Sequence, residues 1–509
     1  MLQQALPYLI KLMMQPEFYP HPVTEPIKLI QTHISYVLLT GDYVYKVKKA
    51  VNLGFLNFST LAARHHFCQE ELRLNHRLAP EIYLEVLPIT QIGQKFVLDG
   101  SGEAQEYALK MRQFPQDSLL SNMLKQGKLT RDLVAQLGRI VAQVHLRAKT
   151  SDYIRSFGDI AQLQNAIAQN YQQSQKYIGS LQTQQQYEET KSFSDRFFTV
   201  QATSLKQRQE NNWIRECHGD LHLDNICFWQ NKIQLFDCIE FNEQFRFVDV
   251  MYDVAFLMMD LEASGHQELA NVFLNSYIER TGDWDGLFVL PLYLSRQAYV
   301  RAKINSWLWD NPTLPEQKQL HAGAKAENYY RLAWQYTRPH EGKLFLMSGL
   351  SGSGKTTVAK QLANSLGAIH IRSDAVRKHL SGTPLDQAGD PSIYTPDMSR
   401  KTYGKLSELG IKLASYGYTV ILDAKYDRQS LRTAVIAKAQ TKQISLEIIF
   451  CTAPEQVLRD RLWARTGDIS DATVELLESQ KKSFEAFTEA EKPLIRKFGA
   501  TEPEILQKN

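Results

Sequence analysis

The chain has 509 residues, with 58 Lys+Arg against 55 Asp+Glu, 13 His and 43% hydrophobic content. At about 150 residues per domain, that length excludes a single small module, and the balance of apolar and charged residues excludes a disordered or fibrous chain. A net charge of +3 makes no broad field for nucleic acid or a membrane surface, so an anionic ligand has to be captured by local residues.

In chain order, residues 35–40 and 43–47 are rich in β-branched and aromatic side chains and flank Thr40-Gly41-Asp42, which predicts a β-hairpin. A helix follows over 59–77, capped by Ser59 or Thr60, and then strands over 82–88 and 106–111. From 130 to 209 the periodicity is mostly helical, and the Gln-rich stretch 162–186 reads as a solvated helical face. Residues 213–237 break into short strands around polar turns, and 248–336 is helical again. The Arg338-Pro339-His340 stretch marks a boundary, behind which strands over 344–348, 368–372, 419–422 and 446–451 alternate with helices and imply a parallel sheet. Two domains are expected, over 1–338 and 342–509.

Five cysteines, Cys68, Cys217, Cys227, Cys238 and Cys451, form no C-x-x-C pair and suit neither a disulfide framework nor a zinc site. Residues 1–14 lack the small-residue cleavage site of a secretory signal, and no apolar run reaches the roughly 20 residues of a membrane span. A cytoplasmic chain with no membrane partner is expected.

Two stretches carry chemistry. His218-Gly219-Asp220-Leu221-His222-Leu223-Asp224-Asn225 fits H-x-D-x-x-x-x-N, and Asp237 lies twelve residues beyond Asn225 at a strand end. Phosphoryl transfer needs a carboxylate beside the acceptor hydroxyl and oxygen ligands for Mg²⁺; Asp220 would be the base and Asn225 and Asp237 the metal ligands. This constellation resembles the aminoglycoside phosphotransferases and the wider choline-kinase-like and protein-kinase-like group, over roughly 27–330. The resemblance makes His218 a loop-organising residue and Asp253 a structural carboxylate. It also implies a nucleotide lysine on the third strand, Lys46 with Lys48 as the rival, and a glutamate partner on the following helix, Glu71 with Glu70 as the rival. A glycine-rich loop over the phosphates is missing, as in aminoglycoside phosphotransferase-like proteins, and leaves Ser35 as a phosphate contact. The hinge is expected near Met111-Arg112-Gln113-Phe114.

The second stretch is Gly349-Leu350-Ser351-Gly352-Ser353-Gly354-Lys355-Thr356, followed by Thr357. It fits G-x-x-x-x-G-K-[ST] between a predicted strand and a predicted helix. Backbone N–H groups and the helix N-terminus would hold phosphates, Lys355 would reach the outer ones, and Thr356 would offer a hydroxyl to Mg²⁺. Around it, Asp374 is placed to take a proton from an acceptor hydroxyl, with Arg377 holding a substrate anion. Asp423 ends an apolar strand where a carboxylate orients hydrated Mg²⁺. Arg461 and Arg465, four apart, would form a lid over the transferring phosphate. These residues resemble small P-loop kinases of metabolites and the kinase half of bacteriophage polynucleotide kinase, over about 343–490.

The whole order resembles a bacterial family described as bifunctional aminoglycoside phosphotransferase/ATP-binding proteins. The fold class that follows is an α+β protein-kinase-like (aminoglycoside phosphotransferase-like) domain before an α/β P-loop kinase domain with a parallel sheet. The expected activity is an ATP- and Mg²⁺-dependent phosphotransferase with two sites, each acting on the hydroxyl of a small molecule. Two readings compete with it: a nucleotide-sensing regulatory protein, in which a pseudokinase is fused to a P-loop switch, and a polynucleotide 5′-hydroxyl kinase in the second half, against which the near-neutral charge argues.

Overall fold

The structure, a computed structural model, describes residues 6–93, 95–464 and 468–499. It divides into two compact units. The first comprises 1–130, 147–263 and 292–334; the second comprises 131–146, 264–291 and 335–509.

The first unit is built on a six-stranded antiparallel sheet: β1 (Lys28–Gln31), β2 (Ser35–Leu39), β3 (Tyr43–Lys48), β4 (Tyr83–Ile92), β5 (Lys95–Leu98) and β6 (Ala104–Arg112), in the order β1-β2-β3-β6-β4-β5. The β2–β3 hairpin turns at Gly41, whose φ of +109° is open to glycine. Side chains alternate along β3. Tyr45 and Val47 enter an apolar cluster with Leu38, Ile89 and Ala108, while Lys46 and Lys48 face the other way, toward the helix Leu61–His76. Thr60 caps that helix by accepting from the Ala63 N–H. Beyond the sheet come helices and two small two-stranded ribbons, β7 (Ile214–Glu216) with β10 (Phe247–Asp249) and β8 (Ile226–Trp229) with β9 (Lys232–Leu235). This is the expected α+β class. The Gln-rich stretch is less solvated than its composition suggests, because Asn170, Ser174 and Gln182 are buried.

The second unit holds five parallel strands, β11 (Lys343–Ser348), β12 (Ile369–Arg372), β13 (Thr419–Asp423), β14 (Ser445–Thr452) and β15 (Ile495–Gly499), in the order β12-β13-β11-β14-β15. It is the expected α/β class with a parallel sheet, extended by β15. Strand β11 is buried from Leu344 to Ser348, as a strand covered on both faces must be.

Strand β12 is an edge of this sheet, and its open backbone groups would invite mispairing. Two amides of the helix Gln267–Thr281 occupy them: Asn275 accepts from the His370 N–H at 2.8 Å and donates to the Ala368 carbonyl at 2.9 Å, and Asn271 donates to the same carbonyl at 3.1 Å. Among the described residues no helix is long and apolar enough to cross a membrane.

Asn275→Ala should leave the buried His370 N–H unmatched and cost about 1–3 kcal/mol, read as a lower urea midpoint; an unchanged midpoint would show that water replaces the amide without loss.

Candidate active sites

In the first unit, β3, the helix Leu61–His76 and the segment after β9 converge. Lys46 Nζ lies 2.7 Å from Glu71 Oε1 and 2.7 Å from Asp237 Oδ1. Lys48 Nζ lies 2.6 Å from Glu71 Oε2 and also pairs with Glu240. Burial alone would lower the Lys46 ammonium, but Asp237 and Glu71 hold it well above its ordinary value. Burial would raise Glu71, and the two lysines hold it below the usual carboxylate range. For Glu240 burial wins, and its carboxyl is raised. Both rival lysines therefore reach Glu71, but only Lys46 also reaches Asp237. Glu70 instead pairs with Arg73.

The loop bearing Asp220 is held from beneath. The two Asp253 carboxylate oxygens accept from the backbone N–H groups of His218 (2.8 Å) and Gly219 (2.9 Å), and the His218 ring contacts the Phe236 carbonyl at 2.8 Å. Gly219 has a φ of +85°, and a Cβ there would come 2.5 Å from the Phe245 carbonyl oxygen, so only glycine fits. Asn225 Nδ2 donates to the Asp220 carbonyl (3.0 Å) and to its carboxylate (3.2 Å), which leaves Oδ1 as the amide atom for a cation. Asp237, at a φ of +62°, is fixed by its N–H donating to Tyr83 Oη. His222 Nε2 lies 3.4 Å from Asp220 Oδ2. Burial would raise Asp220, but His222, His218 and Arg301 hold its carboxyl below its ordinary value. Ser35 is fully buried with no hydrogen-bond partner for its Oγ.

In the second unit the P-loop joins β11 to the helix Lys355–Leu366. Gly349, Gly352 and Gly354 have φ of +134°, +82° and +92°. Cβ atoms at Gly349 and Gly352 would come 2.3 Å from the Cys451 carbonyl oxygen and 2.7 Å from the Leu458 carbonyl oxygen, so the loop closes only with glycine at both. The Ser351 N–H donates to Gln480 Oε1, Lys355 Nζ donates to the Leu350 carbonyl at 2.7 Å, and Arg461 reaches the Gly352 carbonyl at 3.4 Å. Burial lowers the Lys355 ammonium. Ser353 lines a largely apolar cavity of about 240 Å³ beside the loop, with Leu350, Phe450, Leu458 and Phe484, and Thr356 and Thr357 open the helix.

Asp423, at the end of β13, lies 3.0 Å from His370 Nε2. Burial would raise its carboxyl, but the His370 hydrogen bond and the charges of His370, Arg372 and Lys355 hold it at about 2. Asp374 sits in the first turn of the helix Ser373–Ser381, and burial, with help from Asp423, raises its carboxyl. Arg377 donates to the Ile393 carbonyl at 2.9 Å, lies over the Tyr394 ring and leaves its Nε unpartnered. The helix carrying Arg461 ends at Trp463, and Arg465 lies outside the described residues.

Sequence reasoning missed Glu240, His222, His370 and Gln480. Glu240 follows Asp237 by three, a spacing that could have paired it with Lys48. The other three carry no local signal, since their partners are fixed by packing. The thiols of Cys217, Cys227, Cys238 and Cys451 are buried and pushed up in pKa, which makes them poor nucleophiles.

Residues 344–487 match the AAA domain family. The C-terminal part is a nucleotide-binding P-loop domain. An uncharacterized protein of Mycobacterium tuberculosis is 29% identical over 462 residues, spanning 90% of each chain. A choline/ethanolamine kinase family protein from Mesorhizobium loti is 10% identical, covering 65% of this chain and 99% of its own, with a TM-score of 0.37. A sugar kinase from Janibacter is 20% identical, covering 32% and 88%, with a TM-score of 0.25.

Lys48→Met should strand Glu240 in the interior, leave Glu71 with Lys46 alone, and lower unfolding stability by about 3–5 kcal/mol. Lys46→Met should mainly weaken Mg-ATP binding, measured by titration in a Lys355→Ala background; the reverse pattern would exchange the roles of the two lysines.

Proposed function

We propose that the protein is an ATP- and Mg²⁺-dependent phosphotransferase with two sites, each transferring the γ-phosphate to a hydroxyl of a small molecule. The observation that carries this reading is the convergence of Lys46, Glu71, Asp237, Asn225 and Asp220 in one unit, alongside a P-loop with its own carboxylates Asp374 and Asp423 in the other. A pure nucleotide switch would have no use for Asp220 or Asp374 as proton acceptors, which favours the phosphotransferase reading.

At the first site Lys46 would bind nucleotide phosphates, positioned by Glu71, while Asp220 takes the proton of the acceptor hydroxyl as its oxygen bonds to the γ-phosphorus and the bond to the ADP oxygen breaks. At the second, P-loop N–H groups and Lys355 would hold the β- and γ-phosphates, Asp374 would take the proton, and Arg461 would offset charge on the transferring group. The donors available for a cation are all oxygens, Asn225 Oδ1 and Asp237 in one site and Thr356 and Asp423 in the other, a set that suits Mg²⁺. When bound, that ion would neutralise charge between the β- and γ-phosphates.

Incubation with γ-labelled ATP and a metabolite extract tests this. Asp220→Ala and Lys355→Ala should each remove a different labelled product, with a loss of about 10²-fold or more; a double variant that transfers label at the wild-type rate would refute the proposal.

The two bases also differ in pH response. A base works ionised, so its rate falls as pH drops through its pKa. Burial raises the Asp374 carboxyl from its ordinary value, whereas His222, His218 and Arg301 lower that of Asp220 despite burial. Lys355-dependent transfer should therefore fail on acidification at a higher pH than Asp220-dependent transfer, and coincident acid limbs would count against these assignments.

A further inference from the structure

The surroundings of Asp220 include cationic side chains, Arg301 among them, that its proposed chemistry does not use. The His222 ring beside it packs on Phe256, with centroids 5.5 Å apart, and Arg301 Cζ lies 5.8 Å from the Phe256 centroid and 6.0 Å from that of Tyr329. One turn before Phe256 on the same helix, Tyr252 lies beneath Arg296, whose Cζ is 4.8 Å from its ring centroid. Both arginines belong to the helix Leu290–Trp309, and all these residues lie in the first unit.

Buried arginines are ordinarily matched, because an unpaired charge away from water is costly. Elsewhere in this unit they are: Arg208 holds Asp249 through two bonds of 2.6 and 2.8 Å, and Arg64 holds Glu106. Arg296 and Arg301 are different. Both are half-buried; among the described residues neither forms an ion pair and the Nε of each is buried without a hydrogen-bond partner, while Arg301 shares a hydrogen bond with Tyr329 and feels the charges of Asp260 and Asp220. Lys303, on the same helix and 8% exposed, meets the neutral side-chain oxygens of Asn170 (2.6 Å) and Gln173 (2.8 Å) and lies 4.9 Å from the Trp307 ring centroid. Burial and the Arg296 charge bring its ammonium down to about 8. The nearby Asp260 is engaged by the Leu223 N–H.

We propose that the acceptor handled at Asp220 is an anion, a hydroxyl compound whose carboxylate or phosphate group is bound by Arg301 and Arg296. Arginine suits either group, through paired N–H donors. The inference rests on the reading of Asp220 as a phosphoryl-transfer base. It makes the pocket select against the cationic amino alcohols and amino sugars that an acidic pocket would favour.

The test uses the full-length protein, γ-labelled ATP and a charcoal-treated metabolite extract split on a strong anion exchanger. Product that disappears in Asp220→Ala should form only from the retained pool. Prior phosphatase treatment of that pool abolishes it for a phosphate-bearing acceptor and spares it for a carboxylate. Arg301→Met should raise the KM for the retained pool roughly 10- to 100-fold, the loss of a hydrogen bond to a charged group, with the KM for ATP unchanged and part of the effect recovered in Arg301→Lys. Asp220-dependent product from the unretained pool, or an unchanged acceptor KM in the Arg296→Met/Arg301→Met double variant, would overturn the anionic acceptor and leave the phosphotransferase standing. No Asp220-dependent product from either pool would overturn the reading of Asp220 itself.

Discussion

Glu71 sits between two lysines, and the first unit is organised around that fact. A carboxylate buried in a helix face is untenable without matched charge, and Lys46 and Lys48 supply it from alternate positions of one strand. Each lysine then needs a second anion, which Asp237 and Glu240 provide from the segment after β9. Strand, helix and loop are thereby locked by one network. Asp237 is held by Lys46 and by Tyr83 in a left-handed conformation, so strand and loop fix the carboxylate in place before any ligand arrives.

The second unit meets the same need by the opposite means. Lys355 has a backbone carbonyl as its partner, and burial has already lowered its ammonium. Such a lysine gains by meeting phosphate, whereas Lys46 must share itself with two carboxylates first. Around Lys355 the loop is made of backbone, through glycines packed so tightly against Cys451 and Leu458 that a single Cβ would open it. With a net charge of only +3 over 509 residues, neither solution leans on a general field. Both concentrate charge where phosphate would arrive.

What the sequence disclosed follows from this division. The P-loop and its parallel strands were legible because glycine spacing and apolar runs are local signals, and the β2–β3 hairpin was legible from Thr40-Gly41-Asp42. The lysine pair on β3 was visible, yet choosing between Lys46 and Lys48 required knowing which could reach Asp237, 191 residues away. His222 and His370 were silent because an isolated histidine has no pattern until packing supplies its partner. The two asparagines on β12 were hidden in the same way, since Asn275 caps a strand 95 residues downstream. A single-sequence pattern extends only about as far as a helix turn or a strand pleat.

Asp423 shows how such silent contacts bear on chemistry. It is only 5% exposed, and burial by itself would raise its carboxyl. His370 prevents this through its ring nitrogen, while the backbone N–H of the same residue is held by Asn275. Arg372, two residues on, adds its charge and is itself paired with Asp468. Strand β12 therefore offers both of its functions from one short edge: its backbone is sealed against mispairing by a helix, and its alternate side chains, His370 and Arg372, face the carboxylate. The seal and the electrostatics depend on each other, because a side chain on an edge strand can tune a neighbour only if the strand keeps its register.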